Sequence, residues 1–126
     1  MLSDLEKNKI IEKAIKNKDV LAIALFGSSL KGKGRDVDIG IFLKKKLKNL
    51  NMSKIRLDFL KESSASQDIQ IFQQLPLYIR VRILKEGKIL FVKDEGALYE
   101  LAFSTIKEFG FYKKLYDLYL KKVNDG

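Results

Sequence analysis

Cysteine and histidine are both missing from the 126 residues. Without thiols there is no disulfide, no thiolate zinc site and no cysteine nucleophile. Without imidazoles there is no Ser-His-Asp triad, no zincin motif and no histidine general base. Tryptophan is absent, and proline occurs once, at Pro76. Long apolar runs are missing too. The longest, Val20–Phe26, is far short of the ~20 residues a membrane span needs. The first residues, Met1-Leu2-Ser3-Asp4-Leu5-Glu6, carry acids and no apolar h-region. Neither a secretory leader nor a membrane association is expected, and the chain reads as cytoplasmic. Chemistry in such a chain must run on carboxylates, lysines, hydroxyls, backbone amides or a hard metal ion held through oxygen.

Positive charge, by contrast, is plentiful. Twenty-five Lys and Arg against 16 Asp and Glu give a formal net charge of +9. A basic surface suits phosphate-bearing or acidic partners, nucleic acid among them. The lysines are spread along the chain, so most read as solvated faces. The densest run, Lys44-Lys45-Lys46-Leu47-Lys48, reads as a loop or helix start after a strand. The length suits one domain over 1–126 with a core of its own.

Periodicity gives the elements. Ser3 and Glu6 form a capping-box pattern ahead of Leu5, Ile10, Ile11, Ala14 and Ile15, predicting a helix over 3–17. Val20–Phe26 reads as a buried strand and 27–35 as a loop, with three glycines and three basic residues. Over 36–43 the chain alternates: Val37, Ile39, Ile41 and Leu43 on one side, Asp36, Asp38, Gly40 and Phe42 on the other. Met52, Ile55, Phe59 and Leu60 predict a helix over 50–62; 63–67 reads as a turn and 68–72 as a third strand. Pro76 is expected at the first position of a helix ending near Gly87, with Leu77, Val81 and Leu84 as its stripe. The alternation Ile79, Val81, Ile83 keeps a strand open there. Residues 88–93 read as a fourth strand. Residues 95–122 read as one long helix, or two with a break at Gly110. The fold class is thus α/β: a small mixed sheet of about four strands flanked by helices. The core covers about 1–93 and a C-terminal helical segment about 95–123.

One constellation carries chemistry. Asp36 and Asp38 stand at i, i+2 on one strand and project from the same face, with Cα atoms roughly 6.5–7 Å apart. Aspartate is a poor strand former, and two on one face repel each other. A shared Mg²⁺ supplies a reason for both, because the ion takes one or two carboxylates together with phosphate oxygens. Asp68, opening the third strand, joins them if that strand pairs beside 36–43. Three carboxylates around two metal ions suit an in-line phosphoryl displacement. Upstream, Gly27 lets the backbone approach a phosphate, and Ser28 can donate to its oxygens. Lys31, Lys33 and Arg35 add positive charge around a leaving pyrophosphate. The run from Gly27 to Gly34 imitates a P-loop, but it lacks the final Ser or Thr and leads into a strand rather than a helix.

The stretch Leu25-Phe26-Gly27-Ser28-Ser29-Leu30-Lys31-Gly32-Lys33-Gly34-Arg35-Asp36-Val37-Asp38-Ile39 resembles the signature of the DNA polymerase β-type nucleotidyltransferases. It is most similar to their smallest branch, the MNT-type minimal enzymes. Asp68-Ile69-Gln70-Ile71-Phe72, Pro76 and the stretch from Ile83 to Phe91 are similar to the same branch. Arg35 stands where the family often has serine. The resemblance implies the nucleotidyltransferase fold, with Asp36, Asp38 and Asp68 as metal ligands and Asp68 taking the proton from the attacking hydroxyl. It places Gly27 and Ser28 on the triphosphate of ATP or another NTP. It also implies a partner, a HEPN-type toxin carrying an acceptor tyrosine, with this chain as antitoxin. The aromatic tail Phe109, Phe111, Tyr112, Tyr116 and Tyr119 is then either a docking surface or a helix packed on the sheet. A non-catalytic antitoxin that occludes its toxin, and a basic nucleic-acid-binding protein on the same scaffold, are the alternatives. A homo-oligomer stays open.

Overall fold

The computed structural model describes residues 2–27, 37–61, 63 and 67–125. Asp36, Ser28, Lys31, Lys33 and Arg35 lie outside them. The elements run α1 (Asp4–Lys16), β1 (Val20–Phe26), β2 (Val37–Leu43), α2 (Asn49–Leu60), β3 (Gln67–Ile71), α3 (Leu77–Glu86), β4 (Lys88–Val92) and α4 (Glu95–Asp125), with a 3-10 turn at Phe72–Gln74. The four strands form one mixed sheet in the order β3-β2-β1-β4. β1 is antiparallel to both of its neighbours, and β2 is parallel to β3.

β1 is the central strand and is buried on both faces, which is why its sequence is a continuous apolar run rather than an alternating one. On one face Val20, Ile23 and Leu25 join Ile39, Ile41, Ile69 and Ile71 beneath Ile10 and Ala14 of α1 and Met52, Ile55 and Phe59 of α2. On the other, Leu21, Ala22 and Ala24 join Phe42, Phe72 and Ile83, with Leu98 and Leu101 of α4 packed against them. The Phe42 and Phe72 rings stack with centroids 4.3 Å apart. Gln73 accepts from the Leu43 amide at 3.1 Å and donates to the Leu43 carbonyl at 2.8 Å, so a side chain completes the end of β2.

Several expectations need correction at their edges. β3 begins at Gln67, one residue earlier than expected, and Phe72 leaves the strand for the 3-10 turn. Pro76 caps α3 from outside instead of opening it, and residues 77–86 are helical, which removes the strand alternative. Leu5 and Ile15 lie on the exposed side of α1, whose buried residues are Ile10 and Ala14. α4 is a single 31-residue helix that passes Gly110 without a break.

The capping box at α1 is complete in both directions. The Glu6 carboxylate accepts from the Ser3 amide at 3.2 Å, and the Glu6 amide donates to Ser3 Oγ at 3.2 Å. Glu6 also accepts from the side chain of buried Gln67, tying the start of α1 to the first residue of β3. The Ser3 amide, followed by the Ser3 hydroxyl, pulls the Glu6 carboxyl below its ordinary value of 4.5. A depressed acid stabilises the fold above its unfolded value and loses that contribution as pH falls through its folded one. Wild type should therefore exceed Glu6→Gln in chemical-denaturation midpoint at neutral pH, and the gap should close as acidification carries the pH below the ordinary carboxylate range and through the lowered value of Glu6. A gap that stays constant with pH would mean the carboxylate is not the stabilising species.

Candidate active site

Three elements meet at one end of the sheet: the turn after β1, the start of β2 and the start of β3. Register decides what faces what. Asp38 pairs with Asp68 across the parallel β2–β3 ladder, and with Phe26 across the antiparallel β1–β2 ladder. Paired residues project to the same face, and neighbouring strands lie about 4.8 Å apart. Asp38 and Asp68 therefore stand side by side on the face shared with Phe42, while Ile39–Ile69 and Ile41–Ile71 fill the opposite one. The sequence-predicted convergence of these two acids holds. Their settings differ: Asp38 is half-buried, whereas Asp68 is exposed and accepts from Gln70 Nε2 at 3.1 Å.

β3 is an edge strand, and its position depends on side chains around it. Arg56 of α2 donates from Nε to the Ile69 carbonyl at 2.6 Å, and Gln67 is held by Glu6. Asp68 sits between these two attachments.

Gly27 is required by two observations at once. Its φ is +89°, in the region L side chains avoid, and a Cβ built there would lie 1.8 Å from Asp38 Oδ2. The carboxylate occupies the space that a side chain at position 27 would fill. Glycine here thus fixes both the turn and the placement of the acid. Gly27 and Asp38 open onto a cleft of about 250 Å³, completed by Phe26 and by Ile79, Arg82, Ile83 and Glu86 of α3. The α3 residues were not among those singled out from sequence. Their signal was present, since 79, 82, 83 and 86 follow i, i+3, i+4, i+7 and make one helix face.

The donor set suits a hard cation. Two carboxylates on adjacent strands offer oxygen ligands of the kind Mg²⁺ takes. Among the described residues no group of three acids converges; Asp36, the expected third, lies outside them. Replacing Gly27 by alanine should displace the Asp38 carboxylate and force an unfavourable backbone, costing about 1–2 kcal/mol of stability from the backbone term. Thermal unfolding measures that cost. A Gly27→Ala protein with unaltered stability would contradict the geometry.

Against known proteins, the family model "Polymerase beta, Nucleotidyltransferase" matches residues 8–96. Among solved structures, the chain is similar to one in a toxin–antitoxin complex with AMP-PNP, at TM-score 0.70 and 20% identity over 93% of this chain and 97% of that one. It is similar to one in the complex of a tri-AMPylated Shewanella oneidensis HEPN toxin with its MNT antitoxin, at TM-score 0.70 and 18% identity over 97% and 98%. It is also similar to one in the MntA–HepT toxin–antitoxin pair, at TM-score 0.68 and 19% identity over 96% and 98%. At these identities the likeness is one of fold. A search of curated protein sequences finds no match.

Proposed function

Because the chain belongs to the polymerase β nucleotidyltransferase family, we propose that it is a Mg²⁺-dependent enzyme moving AMP, or another nucleoside monophosphate, from a triphosphate onto a hydroxyl. The observation that carries this reading is the register pair Asp38–Asp68 beside the glycine turn at Gly27. Adjacent carboxylates disfavour each other's ionised form unless a cation lies with them. Asp38 and Asp68, together with Asp36, would hold Mg²⁺, which when bound offsets charge on the phosphate oxygens. Gly27, whose missing side chain makes room for the Asp38 carboxylate, would offer a phosphate the backbone of its turn, and Ser28 and the basic residues Lys31, Lys33 and Arg35 would complete the cradle. Asp68, on the exposed edge strand, accepts the proton of the incoming hydroxyl. Asp38, the inner acid, orients the donor nucleotide.

The acceptor in this reading is a tyrosine of a HEPN-type toxin, and the chain is its antitoxin. Two similar structures support it: one complex contains an AMPylated HEPN toxin and another contains AMP-PNP. α4 supports it independently. Its first half packs on the domain through Leu98, Leu101 and buried Thr105. Beyond that, Tyr112, Leu115, Tyr116, Leu118, Tyr119 and Val123 are each more than half exposed. The spacing 105, 109, 112, 116, 119, 123 alternates by four and three, so the face that packs at Thr105 continues onto the exposed half. The tail therefore does not pack on the sheet, and it offers an apolar helix face for a partner. Lys113, Lys114, Lys121 and Lys122 flank it, which favours a partner with acidic residues at the rim.

Two measurements test these statements. Incubated with Mg²⁺ and labelled ATP, the protein should transfer label to a tyrosine of the toxin it binds. Asp68→Asn should slow that transfer at least about 100-fold, as loss of a general base does, and Asp38→Asn should do no better. Silencing of the toxin with no label taken from any triphosphate would sink the enzymatic reading and leave occlusion. Separately, Leu115→Asp/Tyr119→Asp should change stability by no more than about 0.5 kcal/mol per site, as exposed positions do, yet abolish co-elution with the toxin. Intact co-elution would remove α4 as the docking element.

A further inference from the structure

The cleft beside Asp38 has a second wall whose chemistry the proposed function leaves unused. Arg82 and Glu86 of α3 line it together with Gly27 and Asp38. The two side chains are paired, Arg82 Nε donating to Glu86 Oε2 at 3.2 Å, and both remain largely exposed.

That pair is badly made for holding a helix together. At i, i+4 the favourable order places the acid first and the base second; here the base comes first. Glu86 is also the last residue of α3, where the helix dipole disfavours negative charge. An exposed ion pair contributes little to stability in any case. The other arginine of α3 shows what a structural role looks like. Arg80 donates from Nε to the Leu75 carbonyl at 3.1 Å and pairs with Glu108 of α4 at 3.7 Å, holding one helix to the next. Arg82 makes no such bridge to a second element among the described bonds; its partner is one turn away on its own helix.

We infer that Arg82 is a phosphate-binding residue of the nucleotide cleft, held at the cleft mouth by Glu86 until the triphosphate displaces that carboxylate. This deepens the nucleotidyltransferase reading and rests on it. Arginine presents a planar fork of donors that matches phosphate oxygens. The bond to Glu86 occupies Nε, so the terminal amino groups can make the first phosphate contact, and the bidentate edge that includes Nε opens only when the carboxylate is displaced. The Gly27 turn approaches the cleft from the sheet side and Arg82 from the helix side, so a triphosphate seated on Asp38 would be gripped from both. Ile79 and Ile83, one turn apart on the same helix face, keep that wall apolar below the guanidinium.

The carboxylate gives the inference its distinctive sign. Glu86 competes with phosphate for the same guanidinium, so removing its charge should tighten binding rather than weaken it. The test is calorimetric titration of the full chain with Mg²⁺–ATP, with inorganic tripolyphosphate and with adenosine. Arg82→Ala should weaken tripolyphosphate and ATP about tenfold or more, as expected for hydrogen bonds to a charged group. Adenosine binding should be unmoved. Glu86→Gln should tighten tripolyphosphate a few-fold, on the order of what an exposed ion pair is worth, and most of that gain should vanish in the Arg82→Ala background. Arg82→Lys should fall between wild type and alanine, because charge is kept and the fork is lost. Unchanged tripolyphosphate affinity in Arg82→Ala, or weaker binding in Glu86→Gln, overturns the inference while leaving the wider reading intact. Loss of adenosine binding alone would assign Arg82 to the base and overturn it too. A wild-type protein that binds neither ATP nor tripolyphosphate would overturn both. Circular dichroism on each variant separates these results from loss of α3.

Discussion

Two parallel strands cannot be joined by a tight turn; the chain must leave the sheet and return to the same end. Here α2 makes that return between β2 and β3, and burial of Met52, Ile55 and Phe59 holds it down. Everything at the candidate site depends on the register this crossover delivers. A slip of one residue in β3 would turn Asp68 into the apolar layer and bring Ile69 beside Asp38. Ile39 against Ile69 and Ile41 against Ile71 oppose such a slip from the core side. Side chains from α1 and α2 add to this: Arg56 and the Gln67–Glu6 bond fix the edge strand at both flanks of Asp68. The capping box of α1 is thus coupled to the acid pair through a single buried glutamine.

The acid pair also accounts for where glycine is indispensable. A half-buried carboxylate next to a turn needs room, and Gly27 supplies it by having no Cβ. Gly87 has a different reason. A Cβ there would come within 2.5 Å of the Ile83 carbonyl and within van der Waals reach of the Leu25 carbonyl. The end of α3 can then lie close over β1, which keeps the wall containing Arg82 and Glu86 near the Asp38 carboxylate. Gly110, in the exposed part of α4, has nothing near it and neither breaks nor packs the helix.

Much of this was legible in the sequence because it rests on period and on local chemistry. The alternation through Ile39 and Ile41, the capping residues Ser3 and Glu6, and the continuous run of β1 each have a short-range cause. The pairing of Asp38 with Asp68 was legible only as a conditional, since strand neighbours thirty residues apart are set by packing. Residues 79–83 fit two periods on pattern alone, and only burial of Val81 and Ile83 beneath one helix decides between them. Leu5 and Ile15 looked like core because they are apolar at roughly helical spacing, yet they lie more than a quarter-turn from the face that Ile10 and Ala14 bury. Arg82 and Glu86 shared a helix face in the sequence but did not stand out, because charged residues on a helix are ordinary until the fold places an acid opposite them.

α4 has a consequence for rate rather than for affinity. Its 31 residues span about 46 Å, and the apolar side chains of its second half are exposed. A partner gripped there is tethered to the cleft without occupying it. Tethering replaces the bulk concentration of the acceptor with a local one, of millimolar order for short spans. On the proposed function, the cleft would need no affinity of its own for the acceptor hydroxyl, and a domain this small could act on a macromolecule while devoting its concave surface to the nucleotide.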